Sequence, residues 1–113
     1  MYLLVNVLEQ TDRLPVLLEE FVNIGVTGST IIDSIGMGRI LLESETDAPV
    51  IKVIKEALDQ KNSTNKTIFA VIPNKQTLDQ AINVVKSISG DLNELGKGIL
   101  FTLSVDFVEG LKK

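Results

Sequence analysis

The 113-residue chain contains no cysteine, no histidine and no tryptophan. Without cysteine there is no disulfide, no thiolate nucleophile and no thiolate metal site. Without histidine the commonest metal ligand and the usual general base are gone, and a Ser-His-Asp triad is excluded. These absences point away from an enzyme, and no residue pattern requires a cofactor. Positive charge is also scarce. Eleven Lys and Arg stand against 15 Asp and Glu, giving a net charge of −4 and a pI near 4.7, so nucleic acid is not an expected partner. No apolar run approaches 18 residues, and no basic region precedes the apolar stretch within residues 1–10. The expectation is therefore a cytoplasmic protein that is not an integral membrane protein.

What is present is aliphatic. The chain has 12 Ile, 15 Leu and 12 Val but only four Phe and one Tyr. A chain of this length forms one domain and buries about two-thirds of its extended surface. Residues 2–8 are almost wholly apolar, Asn6 being the one polar residue, and read as a strand covered on most of both faces. Thr11-Asp12 is a candidate N-cap, with Pro15 early in a helix whose apolar positions are Leu14, Leu17, Leu18, Phe21 and Val22. Gly25 ends it. Residues 29–35 are β-branched and read as a second strand, running into Gly36-Met37-Gly38-Arg39 and onward through residues 40–42.

An acidic turn at residues 43–47 leads to a helix over 47–60, with Val50, Ile51, Ile54, Ala57 and Leu58 on its apolar side. Residues 60–66 are a polar loop, and 67–72 a third strand. Pro73-Asn74 breaks it, and either Asn74 or the Thr77-x-x-Gln80 pattern caps the next helix. That helix carries Leu78, Ala81, Ile82, Val85 and Ile88. Residues 89–98 are a glycine-bearing loop, and 99–105 the fourth strand. The order βαββαβ predicts an α+β, ferredoxin-like fold. It has a four-stranded antiparallel sheet, two helices on one face, and an extra helix inserted between the two halves. The other sheet face is too apolar for water and implies oligomerisation.

Two short segments have the composition of anion sites. Gly36-x-Gly38-Arg39 combines close backbone approach with a guanidinium fork; the alternative is a strand-end bulge with a solvated arginine. No helix is expected directly after it and the third glycine is missing, so it is not a dinucleotide fingerprint. Gly90, Gly96 and Gly98 form a candidate backbone nest with Lys97 as its charge, or an ordinary connection opposed by Asp91 and Glu94. The carboxylates Glu43, Glu45 and Asp47 lack any calcium-loop pattern and read as a solvated turn.

Ile24-Gly25-Val26-Thr27-Gly28-Ser29-Thr30, continuing to Gly36-Met37-Gly38-Arg39, resembles the second-strand region of PII signalling proteins. Gly96-Lys97-Gly98-Ile99-Leu100-Phe101-Thr102-Leu103-Ser104-Val105-Asp106 resembles that family's fourth-strand entry. The resemblance covers about residues 2–39 and 67–109, and identifies residues 1–113 as a single, divergent PII-like domain in which a 40–66 insert replaces the family's long loop. It implies a homotrimer with a small anionic ligand or adenine nucleotide in clefts between subunits, held at Thr30, Gly36, Met37, Gly38, Arg39, Gly96, Lys97 and Gly98. It also implies a regulatory role on a partner protein engaged by residues 40–66, in a family that serves mainly nitrogen and carbon metabolism.

The chain departs from the family at its charged positions. Ile99 stands where the family has a phosphate-binding lysine, Gly110 and Lys112 where it has two arginines, and Ile40 where it has a glutamine. The only tyrosine is Tyr2. ADP or AMP is thus expected over ATP. An ACT-type small-molecule-binding module, of the same strand order but paired edge to edge, is the alternative. A cation-tolerance trimer is disfavoured by the missing Cys and His, and an RNA-binding domain by the scarcity of aromatics.

Overall fold

The structure, a computed structural model, describes residues 1–43, 64–94 and 96–111. Strand β1 (Tyr2–Leu8) lies at the centre of the sheet. Its neighbours are β3 (Asn65–Ile72) and β4 (Ile99–Ser104), both antiparallel to it, and β2 (Thr30–Ser34) pairs with β3 on the far side. The order β2-β3-β1-β4 is the ferredoxin-like arrangement. The period of two decides which residues enter the core. Leu4 and Leu8 of β1, with Ile68, Ala70 and Ile72 of β3, point to one face. There they meet Leu17 and Phe21 of helix α1 (Leu14–Asn23) and Leu78, Ala81, Val85 and Ile88 of helix α3 (Lys75–Ser89).

The cap expected at Thr11-Asp12 is not formed. Thr11–Arg13 is instead a single 3-10 turn that feeds α1, whose N-cap is Arg13 with no side-chain hydrogen bond. Pro15 occupies the first turn, where a missing N–H is tolerated. The C-terminal end is more fully satisfied. Gly25 at φ 91° donates to the Val22 carbonyl at 3.0 Å, and Val26 donates to the Phe21 carbonyl at 2.8 Å. This is the paired bonding of a Schellman motif, and Val26 and Phe21 are buried together in the core.

For α3 the cap is Asn74, whose Oδ1 accepts from the Thr77 N–H at 2.8 Å. Asn74→Ala should therefore destabilise the protein by about 1 kcal/mol. Urea unfolding reads this as a lower midpoint at unchanged slope. An equal loss in Gln80→Ala and none in Asn74→Ala would transfer the cap to the Thr77-x-x-Gln80 pattern.

Two boundaries differ from the sequence expectation. Asn65 and Lys66 belong to β3 rather than to a loop, because Lys66 pairs with Asp33 across the β2–β3 ladder and the Ser34 and Thr67 hydroxyls lie 2.7 Å apart. Residues 40–42 do not extend β2. Helix α2 (Met37–Glu43) begins directly after the Ile35-Gly36 step. The β2–β3 ladder ends with Ser34 opposite Asn65 among the described residues. Met, Arg, Leu and Glu are sound helix formers. The helix expected over 47–60 lies outside the described residues; α2 is the helix that the described residues place between the two halves. Among the described residues no helix is long and apolar enough to cross a membrane.

Candidate functional site

The antiparallel ladders bring both glycine-bearing segments to one end of the sheet. Ser34 ends β2 opposite the first residue of β3, β1 ends there at Leu8, and β4 begins there at Ile99. Gly36–Arg39 follow β2 and Gly96–Gly98 precede β4, so the two segments lie on opposite edges. Three strand spacings separate those edges, roughly 14 Å. A single phosphate cannot touch both; an elongated ligand or a second copy of the chain is needed. Thr30 is not part of this end. It starts β2 about four residues, or roughly 13 Å, from Ser34. It shares a cross-strand row with Phe69, Val5 and Phe101 on the face away from the helices.

The first segment is not a bulge. Met37, Gly38 and Arg39 form the first turn of α2, with the Ile40 N–H bonded to the Gly36 carbonyl at 3.3 Å. A helix does follow directly, contrary to the sequence expectation. The third glycine of a dinucleotide fingerprint is still lacking, because Leu41 stands there. Met37 is 75% exposed and Arg39 is half-buried. Gly36 is not in the left-handed region, and a Cβ added there would meet only Asn65 Nδ2 at 3.6 Å, an ordinary contact. The fold alone does not demand glycine at position 36.

The second segment is different. Gly96 and Gly98 have φ of 78° and 93°. A Cβ on Gly98 would sit 2.1 Å from the Val7 carbonyl oxygen and 3.6 Å from the Glu9 nitrogen. The fold itself requires glycine at 98, which accounts for that residue without a ligand. Lys97 is half-buried between the two glycines. Glu9, near the same loop, has its carboxyl pushed above the usual carboxylate range by burial; once ionised, it opposes an anion there. Gly90 caps α3, its N–H bonded to the Lys86 carbonyl at 2.9 Å, and serves the helix rather than a nest.

Sequence reasoning passed over Asn6 as a site residue. It is completely buried, and its Nδ2 donates to the Ile99 carbonyl at 3.1 Å. The available signal was a lone amide in an otherwise apolar strand. Among the described residues no three carboxylates gather as a metal site.

No protein-family model and no curated protein matches this chain.

Among the described residues, the sheet face away from the helices is apolar and partly exposed, with Val5 buried at its centre. Leu3, Val5 and Val7 of β1 are flanked on it by Phe69 and Val71 of β3, and by Ile99, Phe101 and Leu103 of β4. Ile32 extends it onto β2. Ile99, Phe101, Leu103 and Ile32 are each 43–53% exposed. The only polar neighbours in these rows are Thr30 and Thr67.

Proposed function

We propose that this chain is a divergent PII-like sensor. It acts as a homotrimer whose sheets face inward, and it takes a small anionic ligand or adenine nucleotide in clefts between subunits. The reading rests chiefly on the apolar sheet face, which two helices leave open and which copies of the same chain would cover without any further partner. The fold's indifference to glycine at position 36 supports a ligand role there, since close backbone approach by a phosphate is a reason to keep it. Residues 40–66 would present the ligand state to a regulated partner protein, placing the chain in signal transduction, with nitrogen metabolism the pathway that the resemblance suggests. The protein works by binding rather than by catalysis, in the cytoplasm.

Native mass spectrometry with nucleotide titration tests this. The expected mass is three times the 12.3 kDa chain. ATP should bind no tighter than tens of micromolar, roughly −6 kcal/mol, with ADP or AMP preferred. Two cationic positions of the family are Ile99 and Gly110 here, and each lost charge partner costs about 2–5 kcal/mol. Submicromolar ATP binding would overturn the ligand reading, and a monomer the assembly. A linker variant separates the two roles: replacing 40–66 by a short Gly/Ser segment should keep the trimer, because loop closure depends weakly on length, and should abolish regulation.

A second reading draws on one observation. Among the described residues β4 pairs only with β1, and its sequence Ile99–Ser104 carries no charge or proline to protect the free edge. Edge-to-edge pairing of β4 would give an ACT-type dimer, recognised by a mass of two chains and binding of an amino acid instead of a nucleotide.

A further inference from the structure

Asn6 occupies a helix-facing position of the central strand, between Leu4 and Leu8, where every consideration of packing favours leucine. Its side chain is fully buried. Nδ2 donates to the Ile99 carbonyl, and Oδ1 has no partner among the described residues. The opposite orientation of the amide would set two oxygens against each other, so the bond to Ile99 fixes which atom is left unmatched. A buried acceptor without a donor weakens a core, and an asparagine that leaves one unmatched is not there for stability.

The bond reaches across to the first residue of β4, immediately after Gly98. Gly98 in turn lies so near the Val7 carbonyl, one residue along β1 from Asn6, that a Cβ there would sit 2.1 Å from its oxygen. Consecutive residues of β1, Asn6 and Val7, thus both meet this junction. We propose that Asn6 is a positioning residue for the Gly96–Gly98 loop. It holds the loop's exit in one register so that Lys97 and the backbone N–H groups face a ligand in a fixed geometry, at the expense of core stability. This rests on the reading of that loop as part of the ligand cleft. Polar groups retained in cores for specificity have precedent as a physical strategy, and the contact here spans 93 residues of sequence.

Three proteins test it: the wild type, Asn6→Leu, and Ser89→Ala. The last removes another buried polar group without a partner among the described residues, a hydroxyl on α3 rather than in the loop's contacts. In the wild type the Asn6 carboxamide protons should exchange with solvent at least a hundredfold more slowly than those of a solvated asparagine. Asn6→Leu should melt no lower than wild type, while the amides of Lys97, Gly98 and Ile99 exchange at least tenfold faster and ADP binds at least tenfold more weakly. Ser89→Ala should leave those three amides unchanged. A lower melting temperature in Asn6→Leu with unchanged loop exchange would make Asn6 a purely structural residue and overturn the proposal. Freely exchanging carboxamide protons in the wild type would do the same. If Asn6→Leu does not fold, the wild-type carboxamide rate decides. If the wild type takes no ADP, the nucleotide reading fails on its own and the loop exchange ratio still judges the anchor.

Discussion

Gly98→Ala is expected to lower stability by about 2–6 kcal/mol, through two independent penalties at one atom. Its φ of 93° is a backbone conformation that costs a residue with a Cβ about 1–3 kcal/mol. The new methyl would also lie 2.1 Å from the Val7 oxygen and 3.3 Å from its carbonyl carbon. Both atoms are backbone of the central strand, so neither can rotate away, and overpacking of this kind costs about 1–3 kcal/mol more. For a chain of this size the melting temperature should fall by more than about 6 °C. Gly90→Ala is the matched comparison, because Gly90 has a similar φ of 79° and nothing within 4 Å of its Cβ position. It should lose only the conformational share. Equal losses in the two variants would show that the Val7 contact relaxes freely.

Phe101→Glu should convert the assembly into single chains. Phe101 lies in the central row of the uncovered face, beside Val5 and in line with Phe69, and is 43% exposed in one chain. A carboxylate there reaches water in the monomer, so the fold should survive with an unchanged circular dichroism spectrum. In a trimer whose sheets face each other the same carboxylate is buried without a partner, at a cost of several kcal/mol per copy. Sedimentation at micromolar concentration should therefore give the mass of one chain. Thr102→Glu supplies the control. Thr102 is the next residue on the same strand but lies opposite Leu4, on the helix side, where it is exposed. It should leave the assembly intact. A Phe101→Glu protein that sediments like wild type would show that this face is not the contact.

Local pattern was enough for the parts of this fold that depend on period. Leu78, Ala81, Val85 and Ile88 mark the buried side of α3 in the sequence as they do in the structure, and the alternating core positions of β3 follow the same logic. Illegible features are those decided by distant partners. The apolar run at residues 40–42 suits strand or helix equally. The structure resolves it as helix: among the described residues the β2–β3 ladder ends at Ser34, and Met37–Glu43 is α2. Thr11-Asp12 has the composition of a cap, yet the chain spends those residues in a 3-10 turn.

The candidate site divides in the same way. Gly98 was legible as a glycine near a basic residue, but its cause is a carbonyl some 90 residues away in sequence. Asn6 was visible as an oddity in an apolar strand, and only the fold connects it to Ile99. The resemblance groups Thr30 with Gly36, and the extended strand between them sets the two about 13 Å or more apart in one chain.

The pairing of β1 with both β3 and β4 bears on how the chain is made. β1 is the first strand to be synthesised, and neither of its partners exists at that moment: Tyr2 must wait for Ile72 on one side and Ser104 on the other. At ordinary elongation rates residue 99 follows residue 7 by about 5–20 s. Until β3 is made, more than half-way through that interval, Leu3, Leu4, Val5, Val7 and Leu8 have no strand to pair with, and α1 has no sheet to pack on. The nascent chain is thus an unprotected apolar strand for most of its synthesis, and its sheet can close only once β4 has emerged. Long-range closure of this kind is slow, so a holding chaperone would meet β1 before any part of the protein itself does.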